Sequence, residues 1–285
     1  MANVRDIRRR IRSAKNIQQI TRAMKFVSAA RLRRAQERVV AARPYARQML
    51  AVLNSLAARV PSHAHPLLAH RGEEKIELVV ISADKGLCGG YNTNILRQTM
   101  EFILQRSGRE LELNIIGKRA RDFFRRRPYT VRHEAVGILQ KVQFADAAAV
   151  ARDIIEGFER GEKDQVWIVY NEFKSVVQQK VVVEPLLPIE RLDITNGSQV
   201  DYLYDEPPEK ILNNLLPRHV EAQVFRAMLE AAASEQGARM TAMDAATNNA
   251  GEMIDSLTLF ANKVRQAGIT KELIEVVSGA VSAGE

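Results

Sequence analysis

The two ends of this 285-residue chain carry narrow apolar seams spaced by three and four residues, and a seam that narrow cannot bury itself on a single helix. From Val4 to about Leu56 nearly every residue is a good or neutral helix former. Val4, Ile7, Ile11 and Ala14 step by 3, 4 and 3. The next apolar positions, Ile17, Ile20, Met24 and Val27, follow at 3, 3, 4 and 3, and the extra short step predicts a stammer that locally overwinds the coil. Near the other end a second seam runs through Met240, Met243, Thr247, Ala250, Ile254, Leu257, Ala261 and Val264. A helix of about 70 residues there would be ~105 Å long, so it needs a partner helix along its length. Pro44 is expected to kink or end the first helix within a turn. Gly237 and Gly251 inside the second each cost up to ~1 kcal/mol relative to Ala, unless a neighbour approaches closely there.

Between the seams the period changes. Ile76–Ile81 reads as a buried strand, followed by a glycine loop at Asp84–Tyr91 and a helix near Asn94–Gln105. Leu111–Ile116, Gln165–Tyr170 and Lys180–Leu187 are further strands, with helices at Lys118–Arg126 and Phe144–Phe158. Strands alternating with helices indicate an α/β layer with a partly parallel sheet. Residues 1–60 are thus expected as one coiled-coil helix, 75–190 as an α/β domain and 209–281 as the second coiled-coil helix.

Charge is unevenly spread. Residues 1–60 hold fifteen Lys and Arg against Asp6 and Glu37, a net +13 in a chain whose total is +8, so the remainder sums to −5. A basic arm on a mildly acidic body calls for an acidic partner: nucleic acid, anionic lipid or a carboxylate-rich protein. Basic-region helices leave their DNA-reading segment free of a seam, whereas here arginines and seam share the same turns, which favours a protein partner. No apolar run reaches the ~18 residues a membrane span requires. The first residues lack the apolar stretch of a secretory signal, and the single cysteine fits a reducing compartment.

Candidate chemistry is sparse. The loop Asp84-Lys85-Gly86-Leu87-Cys88-Gly89-Gly90-Tyr91-Asn92 stands between a strand and a helix, where doubly wound proteins hold phosphate. Its spacing matches neither G-x-G-x-x-G nor G-x-x-x-x-G-K-[ST], so a structural turn is preferred to a nucleotide site, with a nucleotide-binding enzyme kept as the rival. Cys88 has no histidine near it in sequence and reads as a small residue in a crowded loop rather than a nucleophile. His63, His65 and His70 lie in a proline-bracketed loop without the spacing of a closed metal site. No catalytic constellation, metal or cofactor is expected.

Three blocks carry a family resemblance. They are Ile20–Gln36 (ITRAMKFVSAARLRRAQ) with the RPY of Arg43–Tyr45, Ser82–Asn92 (SADKGLCGGYN), and Ser234–Ala250 with Ile269–Ser282 (ITKELIEVVSGAVS). Together they resemble the gamma subunits of bacterial F-type ATP synthases. The resemblance implies an antiparallel two-helix coiled coil plus a Rossmann-like α/β domain. It further implies a non-catalytic rotor shaft, one copy per complex, inside a ring of three alpha and three beta subunits. Epsilon and the membrane c-ring would be the other partners, at the cytoplasmic face of the bacterial plasma membrane, with no nucleic acid. Implied ring contacts are Arg265, Gln266, Thr270 and Glu272, with Arg8, Arg9, Arg31, Arg33, Arg34 and the loop at Cys88 beside acidic groups. Leu273, Ile274, Val276 and Val277 would form an apolar tip, and Tyr202–Pro208 a foot against the membrane rotor. The paired cysteines of the chloroplast members are missing, so thiol control is not expected. With the family's hairpin topology, Val4–Val27 runs against Met240–Val264 at position sums near 264–268, Ile11 close to Ile254 and Met24 close to Met240–Met243.

Overall fold

Both ends of the chain form the helices that their composition favours, and a mixed sheet lies between them in sequence. The computed structural model describes residues 4–57, 65–189 and 207–282. The first helix, α1, runs Val4–Ala57. A short 3-10 turn at Pro66–Leu68 leads to β1 (Lys75–Ile81), α2 (Tyr91–Gln105), β2 (Glu110–Ile116), α3 (Lys118–Phe124) and β3 (Thr130–Ala135). Then follow α4 (Phe144–Glu159), β4 (Gln165–Phe173), β5 (Gln179–Leu187) and the final helix α5 (Pro208–Ser282). The expected foot at Tyr202–Pro208 lies, apart from its last two residues, outside the described residues. Contacts divide the chain into two units, one of Met1–Val27 with Met240–Glu285 and one of Ser28–Arg239, so each long helix contributes to both.

In the first unit α1 and α5 pair antiparallel. The hydroxyls of Thr21 and Thr247 lie 2.8 Å apart, and Lys25 Nζ is 2.6 Å from Asp244 Oδ1. A Cβ at Gly251 would stand 3.1 Å from Gln18 Nε2, so the glycine lets the helices approach there. The paired positions sum to 268 or 269. Along the seams this register sets Ile11 against Leu257, one seam position beyond Ile254, and Val4 against Val264.

The α5 seam follows the sequence reading. Met240, Met243, Thr247, Ala250, Ile254, Leu257, Ala261 and Val264 are all buried or half-buried. The α1 seam does not. Its covered positions continue as Ile7, Ile11, Ala14, Gln18, Thr21, Lys25, Ser28, Leu32, Ala35 and Val39, an unbroken alternation of steps of 4 and 3. There is no stammer. Ile17 (52% exposed), Ile20 (59%) and Val27 (52%) face outward, while Met24 is half-buried beside the seam. The reason is geometric: a helix in a two-stranded coil presents every 3.5th residue, whatever its polarity. Here the facing seam positions Met243, Thr247 and Ala250 are flanked by Asp244 and Gly251, which are polar and small. Polar side chains on α1 meet this stretch with hydrogen bonds rather than bulk.

In the second unit the sheet order is β3-β2-β1-β4-β5, with the first four strands parallel and β5 antiparallel to β4. Its central strand β1 is buried on both faces from Ile76 to Ile81, as a strand covered on both sides must be. Ile76, Leu78 and Val80 join Leu113, Ile115, Tyr91, Ile95, Phe102 and Phe124 in one core. The connections through α2 and α3 move one way along the sheet and that through α4 moves the other. Right-handed crossovers therefore put α4 on the opposite face and make the gap between β1 and β4 the switch point of the topology. Of the two outcomes expected at Pro44, a kink or an end, the end does not occur: α1 continues to Ala57, with Met49 and Leu53 buried. Burying those side chains, at ~1.5–3 kcal/mol each, offsets the ~3 kcal/mol a helix-interior proline costs. Pro185 is accommodated because β5 is an edge strand.

The polar seam fixes the register, and this can be tested by cross-linking. With Cys88 replaced by Ser, Thr21→Cys with Thr247→Cys should form a disulfide within one chain under mild oxidation, since bridgeable Cα atoms lie within ~7 Å. Ile20→Cys with Thr247→Cys should not. Equal yields for the two pairs, or bonds only between chains, would contradict the register.

Candidate functional site

The glycine loop after β1 is held by hydrogen bonds from three connections at the carboxyl edge of the sheet. Ser82 N donates to Ile116 O (2.8 Å), and Ser82 Oγ accepts from Ala120 N (2.8 Å). Asp84 Oδ1 accepts from Lys118 N (3.0 Å) and Gly137 N (3.1 Å), tying the loops after β1, β2 and β3 to one carboxylate. Asn92 Oδ1 accepts from Ala83 N (3.0 Å), so α2 is fastened to the end of β1. Two residues of the loop are left-handed, Leu87 (φ 60) and Gly89 (φ 56), and Leu87 is 65% exposed. A Cβ at Gly86 would stand 2.7 Å from Arg119 Nη2, so a side chain there would have to displace the arginine.

This loop sits at the switch point, where doubly wound sheets take up phosphates. Here protein occupies the approach. Tyr91 Oη donates to Ala231 O of α5 (3.1 Å), Ser234 Oγ to Asn171 O at the end of β4 (3.0 Å), and Arg239 Nη2 to Gly86 O (3.2 Å). Glu230 Oε2 accepts from Phe173 N (3.0 Å). A Cβ at Gly237 would meet Phe173 Cε2 at 3.3 Å, so this glycine, like Gly251, marks close approach along the helix. Arg239 also forms a buried ion pair with Glu235 (2.6 Å), one helical turn away. Burial pushes the Glu235 carboxyl up, and Arg239 opposes it. The surroundings of the loop therefore suit a fastening of α5 to the sheet better than an anion site.

Cys88, expected among the partner contacts, is only 1% exposed and cannot reach a partner. Its sulfur accepts from Asn92 Nδ2 at 3.2 Å, and burial pushes the thiol up, away from the thiolate a nucleophile needs. The exposed members of its loop are Lys85, Leu87, Gly89 and Gly90. Of the histidines, His63 lies outside the described residues. His65 Nδ1 accepts from Leu67 N (3.1 Å) and caps the 3-10 turn, and burial lowers its basicity. Among the described residues no group of three His, Cys, Asp or Glu is placed to hold a metal.

The remaining expected contacts are on the surface. Arg8, Arg9, Arg31, Arg33 and Arg34 are exposed along α1, Arg9 beside Asp6 (3.2 Å) and Arg33 beside Glu37 (3.2 Å). Arg31 also stabilises the anion of Glu235, so part of its charge is spent inside its own unit. On α5, Arg265, Gln266, Thr270 and Glu272 lie past the last half-buried seam residue, Val264. Every residue from Arg265 to Ser278 is exposed, including Ile269, Leu273, Ile274, Val276 and Val277. Asp84, Asn92, Glu235 and Arg239 were missed by sequence reasoning; the one available signal was the i, i+4 spacing of Glu235 and Arg239.

The family model described as ATP synthase matches residues 3–282. The ATP synthase gamma chain of Solibacter usitatus is 54% identical over 99% of this chain and all of its own length, and that of an Anaeromyxobacter species 49% identical over 98% and 99%. Among solved structures, a chain from the central stalk and c-ring of Tetrahymena thermophila mitochondrial ATP synthase is 26% identical. It covers 80% of this chain and 99% of its own, with a TM-score of 0.61. A chain of the Euglena gracilis mitochondrial enzyme, 19% identical, shares the fold at a TM-score of 0.69 over 98% of this chain and 94% of its own.

Removing half of a buried ion pair leaves the other charge uncompensated, at ~3–5 kcal/mol. Arg239→Ala should therefore lower the stability of the Ser28–Arg239 unit by about that amount in urea unfolding. Arg239→Met with Glu235→Leu should lose much less. A single variant as stable as the parent would show that the pair does not hold α5 to the loop.

Proposed function

The chain belongs to the ATP synthase gamma-chain family, and from that premise we propose that it is the shaft by which rotation in the membrane changes the nucleotide sites of a surrounding ring. It is a central stalk subunit of ATP synthase, part of a proton-transporting ATPase. Among the described residues no helix is long and apolar enough to cross a membrane. In this reading its membrane attachment is peripheral, through the c-ring, at the cytoplasmic face of the bacterial plasma membrane. The ring is three alpha and three beta subunits, epsilon binds beside the α/β unit, and one copy of the shaft serves each complex. Catalysis belongs to the beta subunits and none to this chain.

The observation that carries the reading is the end of the coiled coil. Past Val264 every residue of α5 as far as Ser278 is exposed, and this surface mixes Arg265, Gln266, Thr270 and Glu272 with an apolar tip. A large exposed apolar stretch marks a binding surface. One helix also has different side chains at every angle around its axis, so three identical ring subunits meet three different faces. That is differential contact with competing conformations of one site, the only way a partner shifts an equilibrium. Shifting a two-state site from 1:99 to 99:1 takes ~5.5 kcal/mol of such difference. Polar contacts worth ~0–1 kcal/mol each supply it in increments without trapping one angle. The arginines of α1 face the acidic groups of beta on the same principle.

Replacing Arg265 and Gln266 together by Ala removes contacts worth ~1–2 kcal/mol, so turnover of the assembled ATPase should fall by a factor of roughly 5 to 30. The far-ultraviolet circular dichroism of the isolated chain should not change. Unchanged turnover with intact helix would remove these two residues from the mechanism.

A further inference from the structure

We propose that the α/β unit contains a buried proton site, in which Glu77 is held as the neutral acid in a two-point hydrogen-bonded ring with the amide of Asn114. Glu77 is in the middle of the central strand β1, and both it and Asn114 of β2 are completely buried. Asn114 is level with Val79, two residues along from Glu77, so the two side chains share one face of the sheet. Asn114 Nδ2 donates to Glu77 Oε1 at 3.1 Å. The other carboxyl oxygen, Glu77 Oε2, and the amide oxygen, Asn114 Oδ1, have no partner. Two acceptors cannot satisfy each other. A proton on Oε2 turns one of them into a donor, closes the ring and satisfies both atoms at once.

The cations around the pair are shared with other carboxylates, and neither Arg132 nor Lys163 is hydrogen-bonded to Glu77. From β2, Glu112 takes Lys163 of the turn before β4 (2.5 Å). From β3, Arg132 is shared between Asp153 of α4 (3.6 Å) and Glu162 (2.9 Å). Arg160, at the end of α4, serves Glu156 (2.8 Å) and Glu162 (3.5 Å) on the exposed side. From β4 the residue level with Glu77 is Val166, which is apolar. Arg132 and Lys163 thus already face three carboxylates, and a fourth negative charge, fully buried and bonded to neither cation, would be poorly compensated. Burial accordingly pushes the Glu77 carboxyl up from its ordinary value of 4.5. The Asn114 bond, Arg132 and Lys163 oppose this, and Asp153 adds to it.

The sign of the pH effect follows. A carboxyl raised in the folded chain binds its proton more tightly there than in the unfolded chain. Its contribution to stability is complete below the unfolded value and is lost as pH rises through the folded one. Glu77→Gln keeps the ring as an amide–amide pair with no proton to lose. Infrared spectra of the full-length chain at neutral pH should show a protonated-carboxyl C=O band, and Glu77→Gln should lose one carboxyl group's intensity from it. A residual band from Glu235, which burial also raises, would survive that change. On raising the pH the parent should lose stability to urea relative to Glu77→Gln. If Glu77→Gln does not fold, Asn114→Ala decides, because breaking the ring should shift the parent's band. A neutral-pH spectrum without a protonated-carboxyl band, or a band unaltered in either variant, would overturn the proposal.

Discussion

The pairing of α1 with α5 is the constraint on which the remaining structure depends. Each helix presents a stripe of one residue in 3.5, too narrow to be buried by anything broader than another helix. Thr21, Thr247, Lys25 and Asp244 occupy that stripe where a stronger coil would place Leu or Ile. A polar residue in a seam costs stability and fixes alignment, because a shifted helix would lose the Thr21–Thr247 and Lys25–Asp244 contacts. Gly251 adds to this by admitting Gln18 at short range. A subunit that works by presenting particular side chains at particular heights needs alignment more than it needs a deep apolar seam.

The α/β unit has a nucleotide-binder's topology, and at its switch point groups of the loop and strand ends are bonded to α5. Tyr91, Gly86 and Asn171, at the loop and strand ends where a phosphate would sit, bond instead to Ala231, Arg239 and Ser234 of α5. Fold and function part company at this point, as they often do in doubly wound sheets. Asp84, which joins the loops after three strands, serves rigidity there in place of ligand binding.

Much of this was legible in the sequence, for reasons that can be named. The change of period at Ile76 marks the sheet because a fully buried strand must be continuously apolar. The α5 seam is legible because its small and apolar positions keep a strict spacing from Met240 to Val264. The α1 seam misleads at Ile17, Ile20 and Val27, since hydrophobicity marks those positions while the geometry selects Gln18, Thr21 and Ser28. Pro44 does not end α1 because Met49 and Leu53, buried beyond it, outweigh a local preference. Cys88 is implied as a contact only by the family resemblance of its loop, where the neighbours Leu87 and Gly89 are exposed while Cys88 itself is buried. Glu77 lies inside the expected buried strand with no local mark of its own, and its partner is 37 residues away on another strand, beyond any local pattern.

The central claim is that this chain turns relative to its ring. Val177, 81% exposed in the connection between β4 and β5, offers an attachment point clear of the seams. With Cys88 replaced and Val177→Cys carrying a visible probe, the assembled complex can be fixed through its ring and supplied with ATP. The account predicts unidirectional rotation of the probe in three equal steps per turn, at a rate set by ATP. Sustained hydrolysis with a stationary probe would contradict it.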